Sequence, residues 1–414
     1  MPVDSSQPTP IEAFGAAVRV NDVARVAELL ASHPELKSTI NGPVPGGHFG
    51  ATALIVAAQH ASREMIEALL AAGADVNQRS HWWAGGFSPL DEAENAPGLA
   101  DFLIGRGAVL DPPTAAQLGR LDELKALIAA DPQAVHTRGG DGQTALHRAR
   151  TVEMAAYLLD HGADIDARDV DHESTPAQYL VRTRQDVVRF LVSRGCRTDV
   201  LMAAAIGDVD LVRKHLDADP STIRTRVNPQ YFPMRNPHAG GTIYLWTLGA
   251  NKNAHVIARE FGHAAVYDLL MSRSPDGLKL TAACASGDEA TAKALLASNP
   301  RLASALDDDD RRMLAHAARD NDNQAVRLML EAGWPTDARG QHNGTALHWA
   351  CFHGNAAMAR DLLRHGAPVN VKGDEYNATP LGWARHGSVN GWHSKTGDYD
   401  GTIKALLEAG ASES

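Results

Sequence analysis

The chain repeats itself. Gly162 and Gly195 lie 33 residues apart, as do Gly333 and Gly366, and Gly73 and Gly107 are separated by 34. Each glycine closes a similar phrase: "AAGADVN", "GRGAVLD", "DHGADID", "SRGCRTD", "EAGWPTD" and "RHGAPVN". Most follow an apolar pair such as Leu69-Leu70, Leu158-Leu159 or Leu362-Leu363. Ahead of that pair lies an Ala-rich segment opened by "TALIVAA", "TALHRAR", "STPAQYL", "TALHWAC" or "TPLGWAR". A fixed period of this length means an array of supersecondary units, each burying its apolar face only against its neighbours. The residues give the local form. Thr52, Thr144, Thr345 and Thr379 suit a helix N-cap, the small residues after them make a short first helix, and the leucine pair marks a second, amphipathic one. Glycine then ends it by supplying the left-handed residue.

These phrases resemble the ankyrin repeat family. The likeness is strongest in "GQHNGTALHWACFHGNAAMARDLLRHGAPVNVKG" (340–373), where "GTALHWA" stands for G-x-T-P-L-H-x-A and "HGAPVN" for G-A-D-V-N. The resemblance implies an all-α ankyrin repeat solenoid of about twelve paired-helix repeats, from about residue 11 to 412. A shortened unit recurs at 21–36, 119–135, 207–223 and 287–303, with His-Pro, Asp-Pro or Asn-Pro in place of the glycine turn, because proline cannot continue a helix. The expected organisation is a disordered segment 1–10, then modules at 11–111, 112–199, 200–275 with an insertion at 227–253, and 276–414 including a capping repeat.

Departures from the repeat are the informative positions. Arrays of this family bind with the hairpin fingers between repeats and with the concave face of the first helices. Here "GPVPGGHFGATAL" (42–54) and "SHWWAGGFSPL" (80–90) enlarge two fingers, and 228–263 holds a larger insertion. Each joins a Gly-Gly pair to His or aromatics, and glycine pairs permit positive φ and close backbone approach. The candidate lining is His48, Phe49, His60, His81, Trp82, Trp83, His238, Tyr244, Trp246, Phe352 and His353. Aromatic side chains at such positions are enriched among binding hot spots, although Trp82 and Trp83 also suit simple cover of a neighbouring finger.

His147 and His348 occupy the motif position at which an imidazole ties the turn, and His263 is likewise read as a turn residue. Trp349 and Trp383 suit packing between repeats, Trp392 and His393 the capping of an open end, and Asp307 to Asp310 a solvated turn. The net charge of −11 argues against nucleic acid or an anionic membrane as partner. No stretch is apolar enough to span a bilayer, and the N-terminus lacks signal-peptide features, so a soluble cytoplasmic protein is expected. The three cysteines make no CxxC pair and read as buried thiols. No cofactor and no metal ligand set is expected, because the histidines lack close ligand spacing. The resulting expectation is a binding protein that takes a protein or small-molecule partner on its fingers. The alternative is an enzyme with acid/base or metal-assisted chemistry from finger histidines and carboxylates such as Asp91, Glu92, Glu94, Asp171 and Glu173.

Overall fold

The computed structural model describes residues 8–373 and 377–412. These form short paired helices with no β-strand among them. Local chemistry sets each pair. The Thr52 hydroxyl accepts the Ile55 N–H at 3.4 Å and opens Ala53–Gln59, while Ser62 caps Arg63–Ala71 in the same way. The second helix turns Met65, Ile66 and Leu69 inward, each 0% exposed, and every such side chain stabilises the stack by about 1.5–3 kcal/mol. It stops at Gly73, whose φ of +99° suits no other residue as well. In the shortened units Pro34, Pro132 and Pro220 each start a 3-10 turn directly after the helix ends.

The chain divides into two compact units, Met1–Thr198 with Asn228–Thr247, and Asp199–Val227 with Leu248–Ser414. In the first, Pro10–Arg19 packs on Ala53–Gln59, which packs on the 3-10 turn Pro89–Ala93, while Val23–Ser32 meets Arg63–Ala71 behind them. The second repeats the scheme, with Met313–Arg319, Ala346–Phe352 and Pro380–Asn390 in one row and Asn323–Glu331, Ala356–Arg364 and Tyr399–Glu408 in the other. Residues 1–7 of the segment expected to be disordered lie outside the described residues; Thr9 caps the first helix and Pro10 begins it.

Finger turns are marked by isolated backbone bridges. The bridged residues are six apart at Arg138/Thr144 and Arg339/Thr345, nine at Pro43/Thr52 and 27 at Arg226/Asn253. The large insertion is therefore an ordinary finger opened at its tip.

The histidine of the TALH phrase serves as a knot. His147 Nδ1 accepts the Thr144 N–H at 3.1 Å, so its Nε2–H donates to Ser174 O at 3.1 Å in the next finger. His348 repeats this with Thr345 N–H and Ala378 O. Burial holds His147 down to about 3 and His348 to about 4, so both stay neutral. Trp349 and Trp383 are buried edge-to-face, 5.1 Å apart. All three cysteines are buried and none is in a disulfide.

The acidic run departs from expectation. Asp310 is 1% exposed and forms a buried ion pair with Arg226, while Asp307 caps Asp308–Arg311 and pairs with Arg224. Only Asp310 leaves the solvated turn, because an arginine 84 residues upstream, itself 3% exposed, requires a counter-charge, while Asp307 and Asp308 remain exposed as expected.

Candidate functional site

In the first unit successive fingers are joined tip to tip. His81 N–H donates to Gly50 O at 2.9 Å, Asp141 N–H to Gly85 O at 3.1 Å, Val170 N–H to Asp141 O at 2.8 Å and Gly240 N–H to Asp171 O at 2.9 Å. Close approach, across the ladder at Gly85 and within its own finger at Gly86, explains the second glycine pair. A Cβ on Gly85 would stand 2.8 Å from Gly139 O, and one on Gly86 only 2.3 Å from Ser80 O. The insertion is anchored to the same fingers, since Glu173 accepts the N–H groups of Arg235 and Asn236 at 3.0 and 2.7 Å and Ser174 Oγ that of Ile243 at 3.1 Å.

Aromatic rings follow this ladder. Phe49 meets Trp82 edge-on at 4.8 Å, Trp82 meets Trp83 at 6.0 Å and Trp83 meets His238 at 6.1 Å. Trp246 leans on His172 at 4.7 Å. Trp82 Nε1–H donates to Asp141 at 2.9 Å, which fixes its ring. Yet Phe49, Trp83 and Trp246 remain 55%, 41% and 60% exposed. Phe49 also holds φ +54°, a left-handed conformation that costs a bulky residue about 1–2 kcal/mol.

The remaining sequence candidates separate by geometry. His48 and His81 are exposed on these fingers. His60 is exposed too, but its Nε2 bonds Arg19 O at 3.0 Å, the end of the preceding first helix. His353 does the same to Arg319 O at 2.7 Å and is 3% exposed in the second unit. Tyr244 is 0% exposed and packs at right angles on Phe232, so it anchors the insertion instead of presenting a surface. Phe352 contacts Trp392 at 5.4 Å, and its carbonyl accepts the Tyr399 hydroxyl at 2.9 Å, within the C-terminal segment of the second unit.

The carboxylates divide as well. Asp91 is 7% exposed and pairs with Arg148 at 2.6 Å. Asp171 lies beside His172 and Asp141, two residues absent from the sequence candidates. Burial pushes the Asp141 carboxyl up to about 6; the His172 ring opposes that rise and the Asp171 charge adds to it. Asp169 is also raised by burial, against the N–H groups of Ser174 and His172 that its carboxylate accepts. A signal for this grouping existed, because Asp141 and Asp171 stand at finger tips about one repeat apart.

Comparison with known proteins agrees with the architecture. A family model described as ankyrin repeats (3 copies) matches residues 114–202, 279–373 and 314–411, and one described as ankyrin repeat matches 49–81. The chain is similar to palmitoyltransferase Hip14 of Drosophila melanogaster, with 36% identity over 87 residues, 21% of this chain and 12% of that protein. It is also similar to the ankyrin repeat and KH domain-containing protein mask-1 of Caenorhabditis elegans, with 24% identity over 269 residues, 58% of this chain and 10% of that protein. The matched regions thus span about a tenth of the length of these relatives. A solved structure of a predatory endopeptidase from Bdellovibrio bacteriovorus in complex with an immunity protein aligns at 22% identity and a TM-score of 0.29, covering 44% of this chain and 97% of that one. No helix among the described residues is long and apolar enough to cross a membrane. The family matches cover more than half of the sequence, from the first enlarged finger to the last helix, and the chain belongs to the ankyrin repeat family.

Proposed function

We propose that the first unit binds a protein partner on its enlarged fingers, with Trp83, Trp246 and Phe49 as the anchoring side chains. Ankyrin repeats support a protein-binding role. The observation that carries the finer reading is exposure without freedom: three large rings stand 41–60% exposed, Phe49 and Trp83 beside finger-to-finger backbone bonds and Trp246 on an insertion tied down through Ile243 N–H to Ser174 Oγ. Rigid, half-exposed aromatics contribute contact area at low entropy cost. A protein segment suits this arrangement better than a small molecule, because the rings follow successive fingers. A 320 Å³ cavity of the same unit meets the enlarged second finger only at Phe87 and is otherwise lined by residues such as Gln117, His147, Arg148 and Tyr179.

The test is selection of a displayed peptide library on the full chain, followed by affinity measurement of the enriched peptides. Trp83→Ala and Trp246→Ala are each expected to weaken binding by about 2 kcal/mol, or roughly thirtyfold. Trp392→Ala, an exposed tryptophan of the second unit, is expected to leave it unchanged. Peptides that bind all three variants as well as the parent would sink the reading.

A further inference from the structure

Beneath the aromatic fingers, Asp141, Asp171 and His172 bring one ligand atom each to within 4.8 Å of the others. Asp171 and His172 are 6% and 8% exposed. His172 Nδ1 lies 2.8 Å from Gly241 O. A carbonyl only accepts, so Nδ1 carries the proton in the neutral ring and Nε2 keeps its lone pair. In the neutral ring that lone pair faces Asp171 Oδ2 at 3.4 Å, which sets two acceptors against one another with no donor between them.

Two ordinary explanations fit poorly. An imidazolium–carboxylate bond would be about 2.7–2.9 Å long, shorter than the distance seen, and a single such charge would face two carboxylates. Among the described residues no lysine or arginine pairs with Asp141, Asp169 or Asp171. Two ligands bound at about 2.1 Å to a tetrahedral ion stand about 3.4 Å apart, which is the spacing of Nε2 and Oδ2. The surroundings resemble an outer coordination shell: the Gly241 carbonyl orients the imidazole, and the Trp82 and Gly240 N–H groups hold the carboxylates.

We propose that Asp141, Asp171 and His172 form a binding site for a divalent transition-metal ion, with one imidazole and two carboxylates as protein ligands. That donor set suits zinc or manganese over calcium or magnesium, because imidazole favours borderline ions. Three protein ligands leave at least one position for water or for a partner's donor group. The site goes beyond the partner-binding reading and is independent of it, since its readout is the metal alone.

The test is titration of the full chain, stripped with chelator, with zinc chloride and manganese chloride by calorimetry and thermal melting. One ion per chain is expected, and Asp171→Asn or His172→Gln should weaken binding at least tenfold. Asp141→Asn should raise the melting temperature of the metal-free chain, by removing a half-buried charge beside Asp171, and abolish the further rise caused by metal. These asparagine variants keep shape, so the test stands if His172→Gln fails to fold. His393→Ala, which breaks a histidine pair in the second unit, should leave the titration unchanged. Absence of one-to-one binding, binding indifferent to the first three substitutions, or binding lost with His393 would overturn the proposal. So would an Asp171-dependent stabilisation by arginine amide that zinc and manganese do not produce.

Discussion

Replacing Asp91 with alanine separates a structural carboxylate from a chemical one. Its Oδ1 receives Arg148 at 2.6 Å and the Thr114 hydroxyl at 3.2 Å, and its Oδ2 receives the Ser88 N–H at 2.6 Å and the Ser88 hydroxyl at 3.0 Å. The side chains of the ion pair are 3% and 8% exposed. Burial pushes this carboxyl up, but the Arg148 charge and the Ser88 donors outweigh it and hold the group below its usual range. Alanine would leave the guanidinium buried without its counter-charge, a loss of about 3–5 kcal/mol. Arg148 retains Gln143 and Gln117 as neutral partners, which places the effect near 3 kcal/mol. At a urea sensitivity of about 2 kcal/mol per molar, the first unit should unfold about 1.5 M earlier by far-ultraviolet circular dichroism. Arg148→Met in the same chain should recover part of the loss, since the stranded charge is then gone. A midpoint shift below about 0.5 M would refute the structural assignment and return Asp91 to the pool of acid/base candidates.

Three further outcomes are expected. Trp83→Ala should cost under about 1 kcal/mol, whereas Trp82→Ala, which loses the bond to Asp141 and two ring neighbours, should cost about 2–3 kcal/mol by thermal melting; equal costs would contradict the packing described. His348→Ala strands the Thr345 N–H and the Ala378 carbonyl and should lower stability by about 2–4 kcal/mol, with faster hydrogen exchange at the Thr345 amide as the check. His255 is 0% exposed and held down to about 3 by burial and the Arg226 charge, so the unfolded chain binds its proton from about pH 6.5 downward while the folded chain does not. That share of stability is full above pH 6.5 and lost on acidification. Between pH 6.5 and 4.5 the unfolding free energy of His255→Leu should therefore fall less steeply than the parent's by about 1.4 kcal/mol per pH unit, and parallel profiles would contradict it.

The repeat was legible because its determinants are local. Thr52, Thr345, the leucine pairs and Gly73 act within one unit, so their spacing alone specifies caps, faces and stops. Surface and core aromatics were not separable in the same way. Trp246 and Tyr244 are two residues apart in one insertion, yet one is 60% exposed and the other 0%, because the insertion needs an anchor against Phe232 and nothing in its periodicity marks which ring supplies it. His60 and His353 carried a signal that a functional reading passed over: both follow a first helix and reach a carbonyl of the preceding repeat. The grouping of Asp141, Asp171 and His172 escaped a search for close ligand spacing because finger tips meet across one repeat, about thirty residues, and not across one helical turn.

The direct test of the central claim is a hydrogen-exchange footprint of the full chain with and without a bound peptide from the library selection. Binding on the enlarged fingers predicts added protection concentrated at 48–50, 81–86 and 238–246, with none at 352–354 or 391–397. Protection confined to the second helices, such as Arg63–Ala71 and Val152–Asp160, or to the C-terminal segment would contradict it.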